Sequence, residues 1–320
     1  MCRRFSILIG TALAALTTSL YGQPADSVRS PAVMFWNLEC YFDPFDDPAT
    51  EDDEFTPRGR KHWTWKQFTA KRDGIAKTIA SASSVFGNLP DIVALAEVEN
   101  RMVLKQLTDN TILLKAAYGI VHRESPDKRG IDVALLYRKK TFRVLEVQSL
   151  KVESDKATRD ILYVKGIFLK TDTLHLFVNH WPSKLGGATV SGLRRAAAAQ
   201  TLNRCVDSIL NSSGRAFIAA MGDFNDTPEN ISPLVTERLS NLSETLFRKG
   251  KGTIKYQGEW ELIDQFFCTE KKMRMEIFSP AFLLETDKGY TGMKPRRTFT
   301  GPRNHGGLSD HLPILLMSEE

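Results

Sequence analysis

The chain has 320 residues, 42% hydrophobic and 25% charged, which excludes a disordered or fibrous chain and suits a soluble globular protein. A net charge of +5 is too mild to demand a nucleic-acid partner by itself, and three cysteines beyond Cys2 are too few for a disulfide framework.

Residues 1–23 carry the pattern of an export signal: a basic start at Cys2-Arg3-Arg4, an uncharged apolar run from Phe5 to Leu20, and a cleavage region at Tyr21-Gly22-Gln23. An uncleaved anchor is the alternative. Cleavage would remove Arg3 and Arg4, leave a net +3, and leave no other segment able to span a membrane. The expectation is a signal peptide over 1–23, a single domain over 24–320, a secreted or periplasmic location, and action as a monomer.

Val33 to Asn37 reads as a strand, and Asn37-Leu38-Glu39 places two polar groups two residues apart. Residues 43–54 hold seven acids among the prolines Pro44 and Pro48, a solvated loop by composition and without the spacing of a calcium hand. Thr64 to Ala82 reads as a helix capped by Thr64, with Phe68, Ile75 and Ile79 on one face. The buried strand Asp91 to Ala96 ends in Glu97, and a helix follows around Val103 to Leu114; Glu99 reads as a helix-start acid outside any site.

Strands are expected at Gly130–Tyr137, Phe142–Leu150, Asp160–Leu169 and Leu174–Val178, with connections short enough for antiparallel pairing. The last leads into Asn179-His180-Trp181-Pro182. Ser191 is the expected cap of an Ala-rich helix from Leu193 to Leu210. The strand Ala216 to Ala220 then opens into Gly222-Asp223-Phe224-Asn225, where extended geometry sends Asp223 and Asn225 off the same face. Trp260 to Phe267 reads as a strand with Asp264 inside an apolar run, where a carboxylate needs a partner and histidine is the natural one. Asp310 and His311 precede a closing strand, Leu312 to Met317.

Several strands thus end in polar groups, and an antiparallel closing strand would bring Asp310 and His311 to the same edge. Four carboxylates and two amides suit Mg²⁺, with Mn²⁺ or Ca²⁺ as alternatives, and two histidines can move protons near neutral pH. With no zinc ligand set and no serine-nucleophile motif, the pattern points to metal-assisted hydrolysis of a phosphate ester.

The segments Phe35-Trp36-Asn37-Leu38-Glu39, Ala96-Glu97-Val98, Asn179-His180-Trp181-Pro182, Gly222-Asp223-Phe224-Asn225, Ile263-Asp264-Gln265 and Ser309-Asp310-His311 resemble, in this order, the endonuclease/exonuclease/phosphatase superfamily. The run from Arg129 to Tyr137 is most similar to an exported bacterial subgroup with unassigned substrates. The resemblance implies an α/β fold, a four-layer α/β/β/α sandwich of two mixed, largely antiparallel sheets. It implies Glu97 as principal metal ligand, with Asn37, Glu39 and Asp310 near the metal. It implies that Asp223 and Asn225 orient water and hold phosphate. His311, oriented by Asp264, is implied as base or phosphate ligand, and His180 as acid for the leaving oxygen. Asn37 and Arg159 are implied to contact substrate. Two substrate readings stand: a nuclease-like phosphodiesterase acting on DNA or RNA, or a phospholipid or sugar-phosphate hydrolase. A non-catalytic binding module on the same scaffold is disfavoured by the complete motif set. A basic surface for nucleic acid is expected from Lys184, Arg194, Arg195, Arg296, Arg297 and Arg303.

Overall fold

The computed structural model describes residues 29–184 and 187–319; the expected signal, residues 1–23, lies outside them. Two six-stranded sheets dominate. The first is built from β1 (Val33–Tyr41), β2 (Ile92–Val98), β3 (Tyr118–His122), β4 (Asp132–Arg138), β11 (Met273–Ile277) and β12 (Ile314–Ser318), ordered β11-β12-β1-β2-β4-β3. The second is built from β5 (Phe142–Leu150), β6 (Ile161–Phe168), β7 (Asp172–His180), β8 (Phe217–Asp223), β9 (Ser240–Asn241) and β10 (Asp264–Cys268), ordered β5-β6-β7-β8-β10-β9. Within these sheets β1 with β2 and β7 with β8 are parallel, and the remaining pairs are antiparallel.

Period-2 alternation sorts the apolar residues into layers. In β1, Val33 and Phe35 face the second sheet, while Met34, Trp36 and Leu38 face the helices α1 (Trp65–Ser81) and α2 (Arg101–Asp109). In β8, Ala219 and Met221 face inward, while Ile218 and Ala220 pack on α3 (Ala188–Ser213). The result is the expected α/β/β/α sandwich. Among the described residues no helix is long and apolar enough to cross a membrane.

Local chemistry explains most element boundaries. Thr64 and Gln67 close a reciprocal capping box at the start of α1. Asn100 caps the start of α2 by accepting from the amides of Met102 and Val103, and the helix ends at Asp109, earlier than expected, with Asn110 at its C-cap. α3 begins at Ala188 after Gly187, so Ser191 lies inside the helix rather than at its cap. Trp260 to Phe267 is not one strand: Glu259–Glu261 belongs to a small hairpin and β10 starts at Asp264. The acidic loop is less solvated than its composition suggests. Asp43 and Asp52 are buried, and the Asp43 amide donates to Glu99 Oε2 at 2.6 Å. Burial, with the charges of Asp43 and Asp52, pushes the Glu99 carboxyl up to about 9.

Candidate active site

The polar groups sit where the inward-facing rows of the two sheets run out. Asn37 continues the row of Val33 and Phe35. His180 continues Leu174, Leu176 and Val178; Asp223 continues Ala219 and Met221; and Asp264 continues Phe266 and Cys268. Register then aligns them: His180 pairs with Asp223 across β7 and β8, and Asp223 pairs with Asp264 across β8 and β10. The antiparallel pairing of β12 with β1 brings in Ser309, Asp310 and His311, as expected. The Trp36 indole donates to the His311 carbonyl at 2.9 Å, and the Ser309 hydroxyl donates to the Asn37 carbonyl at 2.7 Å.

Glu97 breaks the alternation. Its neighbours Leu95 and Val93 face the helices, yet its carboxylate meets Asn37. A bulge between Ala96 and Val98 against β4, with φ of 58° at Glu97, makes the turn. Glu39, Cys40 and Asn225 also have positive φ. Left-handed backbone in non-glycine residues costs about 1–3 kcal/mol each and persists where surroundings over-determine it. Here the Cys40 amide donates to Glu97 Oε2 at 2.9 Å and the Asn225 amide to Asp223 Oδ1 at 2.8 Å. Gly222 is required by packing, since a Cβ there would lie 2.2 Å from the Asn179 carbonyl oxygen on β7.

At the centre, Asn37 Nδ2 donates to Asp223 Oδ2 at 3.0 Å and to Glu97 Oε1 at 3.4 Å. Its Oδ1 accepts from the Glu39 amide at 3.0 Å. His311 Nδ1 bonds Asp264 Oδ2 at 2.8 Å, and its Nε2 lies 3.9 Å from Asp223 Oδ2 and 3.8 Å from Asp310 Oδ1. His180 Nε2 lies 3.7 Å from Asp223 Oδ2 and 3.8 Å from Glu97 Oε1. Burial disfavours charge on His311, but Asp264, Asp223 and Asp310 outweigh it and hold the imidazole well above its ordinary range. His180 is the opposite case: burial, then Arg159, Arg129 and His311, hold it well below that range. Burial pushes Asp223 up to about 7, with Asp264 and Glu97 adding to the effect against the pull of His311.

Three implied roles meet a different geometry. Glu39 accepts from the amides of Thr298 and Phe299 at 2.5 and 3.1 Å and from Arg297 Nε at 3.3 Å, so its carboxylate anchors the 297–299 segment. Arg159 is buried and spent on protein: Nε donates to the His180 carbonyl, Nη2 to the Trp181 carbonyl, and Nη1 to Asp127 Oδ2, at 3.1, 2.7 and 2.9 Å. It positions the His180–Trp181 backbone, and three of its five N–H groups are committed to protein. Asn225 likewise donates its amide to the Trp181 carbonyl at 2.8 Å. The expected basic surface is also partly consumed. Arg195 pairs with Asp226 at 2.7 Å, Arg194 with Asp155 at 2.6 Å, and Arg297 with Asp310 at 2.9 Å.

Sequence reasoning missed Asp127 and Lys71, and it read Arg297 as a surface cation rather than as the partner of Glu39 and Asp310. Lys71 is buried and donates to the Glu39 carbonyl and to Thr298 Oγ1 at 2.6 and 2.7 Å. Asp127 stood in the quoted family segment's flank, two residues before Arg129, and that proximity was its only signal.

The donor chemistry fits a hard divalent cation. Glu97 and Asp310 keep side chains 20% and 34% exposed, and the carboxylates of this edge crowd one another. Asp223, Asp264 and His311 also have ligand atoms within 4.8 Å of one another. There, however, Asp264 Oδ2 and His311 Nδ1 are already bonded to each other, so that trio orients a histidine more readily than it holds an ion.

A family model described as the Endonuclease/Exonuclease/phosphatase family matches residues 32–320. No curated protein matches the chain. Among solved structures, truncated Caenorhabditis elegans TDP2 is 18% identical, with a TM-score of 0.59 over 91% of this chain and 97% of its own. The human Nocturnin catalytic domain with bound sulfate is 16% identical, TM-score 0.56, over 89% and 93%. D. rerio TDP2 complexed with single strand DNA product is 14% identical, TM-score 0.55, over 90% and 99%.

Proposed function

The chain belongs to the endonuclease/exonuclease/phosphatase family and is a metal-dependent phosphoester hydrolase, and from that premise we propose that it is a secreted phosphodiesterase acting on nucleic acid, DNA or RNA. The observation that carries the substrate class is a groove of about 590 Å³ beside the His180–Trp181 strand end. Lys128, Arg129, Lys156 and Arg194 line it, with Arg159 and Pro182 at its base. Lys128 and Lys156 are exposed, and phosphates flanking a scissile bond would neutralise them. A relative of the same fold, D. rerio TDP2, holds a single strand DNA product, which supports this reading.

Glu97 would hold the cation, with Asp310 as the second carboxylate that reaches solvent. When bound, Mg²⁺ or Mn²⁺ supplies charge neutralisation at the phosphoryl oxygens. Asn37 keeps Glu97 and Asp223 at fixed separation. Asp223, with both oxygens fixed, orients the attacking water and accepts its proton. His311 is locked through Nδ1 to Asp264, so its Nε2 presents a donor to a phosphate oxygen. His180 faces Glu97 and Asp223 through Nε2; held neutral by burial and the nearby arginines, it offers the leaving oxygen a hydrogen bond rather than acting as a charged acid.

A panel of plasmid DNA, RNA, sphingomyelin and sugar phosphates tests the substrate class. Cleavage of nucleic acid that weakens steeply with salt is expected. Turnover of the lipid or the sugar phosphate, with no nucleic-acid cleavage at any salt, would overturn it. An exported protein lacking residues 1–23 by intact mass is the expected result for secretion.

A further inference from the structure

A further histidine, His122, is buried beside a carboxylate at the end of β3. His122 ends β3 and Asp132 opens β4, with side chains 3% and 2% exposed, while Glu124 reaches the surface. His122 Nε2 lies 3.4 Å from Asp132 Oδ2, yet it is buried with no hydrogen-bond partner. Nδ1 lies 3.6 Å from Glu124 Oε1, beyond hydrogen-bond reach. Asp132 Oδ1 accepts from the Ser125 amide at 2.9 Å, which leaves Oδ2 to face the ring. The three residues each offer a ligand atom within 4.8 Å of the others. Asp160 Oδ1 is also buried without a partner. Burial, and then the charge of Asp132, raise the Asp160 carboxyl.

An unpaired buried nitrogen costs about 1–3 kcal/mol, and crowded carboxylates add repulsion. A proton on Nε2 does not resolve this, because the ring nitrogen does not aim at Asp132. A cation does. Two donors each about 2.1 Å from one ion stand about 3.4 Å apart at the tetrahedral angle, and that is the separation of Nε2 and Oδ2.

We propose that His122, Asp132 and Glu124 form a second divalent-cation site, separate from the catalytic edge, whose mixed nitrogen and oxygen donors take Zn²⁺ or Mn²⁺ in preference to Mg²⁺. The ion tacks the 123–131 loop to β3 and β4. That loop carries Asp127, which holds Arg159, which holds the His180 carbonyl. Occupancy therefore stiffens the catalytic edge without touching substrate.

The test is metal content, not activity, so it stands or falls independently of the substrate. Full-length protein is stripped with chelator, loaded with Zn²⁺ or Mn²⁺, desalted and measured by plasma mass spectrometry. The wild type should hold one more ion per chain than His122→Asn or Glu124→Gln, and Glu97→Gln should keep that ion. Because Glu124 is exposed, Glu124→Gln remains informative if His122→Asn misfolds. Loading with Co²⁺ should give the intense visible absorption of a four-coordinate ion, lost in both variants. Equal metal content in wild type and Glu124→Gln, or loss of this ion in Glu97→Gln, would overturn the proposal.

Discussion

His311 and His122 are both buried against carboxylates, and they differ in whether the pairing closes. His311 and Asp264 close: one hydrogen bond of 2.8 Å fixes the ring, and the other nitrogen faces Asp223. The backbone reinforces it, with the His311 amide donating to Ser309 Oγ and the Trp36 indole to the His311 carbonyl. His122, Asp132 and Glu124 do not close. Separations of 3.4 and 3.6 Å leave a ring nitrogen buried and unpaired. A closed pair orients one nitrogen for chemistry; an open one has room and charge for a third party.

Between the two lies the Asp127–Arg159 ion pair, and breaking it should have the largest effect. Arg159→Ala removes the donor to the buried His180 carbonyl and one donor each from the Trp181 carbonyl, which keeps Asn225, and the Asp127 carboxylate, which keeps Arg129; this should cost about 3 kcal/mol in denaturant unfolding. Near-wild-type stability would remove Arg159 from the account. At the closed pair, His311→Ala or Asp223→Ala should lower turnover of an aryl phosphodiester at least ~10²-fold with the fold intact by circular dichroism. Asp264→Asn should act more weakly, about tenfold, because the ring keeps a partner but loses its charge; a loss as large as that of His311→Ala would mean that the pair acts as a single unit. The smallest effect is a pH dependence. Burial works against the Asp127 carboxylate, but Arg129 and Arg159 overcome it and lower the group to about 2. Its folded value lies below its ordinary value near 3.8, so its stabilisation is complete above about pH 4 and is lost as pH falls toward 2. Asp127→Asn should flatten that part of the stability profile, and an unchanged slope would contradict the assignment.

Much of the catalytic edge was legible in the sequence because strand pleating is a strict rule. Once Val33 and Phe35 face inward, so does Asn37, and the same parity delivers His180, Asp223 and Asp264. The need of Asp264 for a histidine followed from desolvation alone. What parity cannot show is where a long side chain ends. Arg159 and Glu39 stand at the right ends of the right strands, yet the guanidinium meets backbone carbonyls and the carboxylate meets the amides of 298 and 299. Nor does sequence announce left-handed backbone at Glu39, Cys40 and Glu97, since no glycine marks it. The short strand at Tyr118–His122 went unread, and with it the neighbourhood of His122.

The central claim is a phosphoester hydrolase whose cation is held by Glu97 beside the Asp223–His311–Asp264 cluster. Its most direct test is hydrolysis of bis(p-nitrophenyl) phosphate by wild type and Glu97→Gln, first in excess chelator and then with Mg²⁺ or Mn²⁺ restored. The expected result is no turnover in chelator, recovery of the wild type on adding metal, and little recovery of Glu97→Gln. Full activity in chelator, or a Glu97→Gln enzyme with the wild-type metal requirement, would contradict the account.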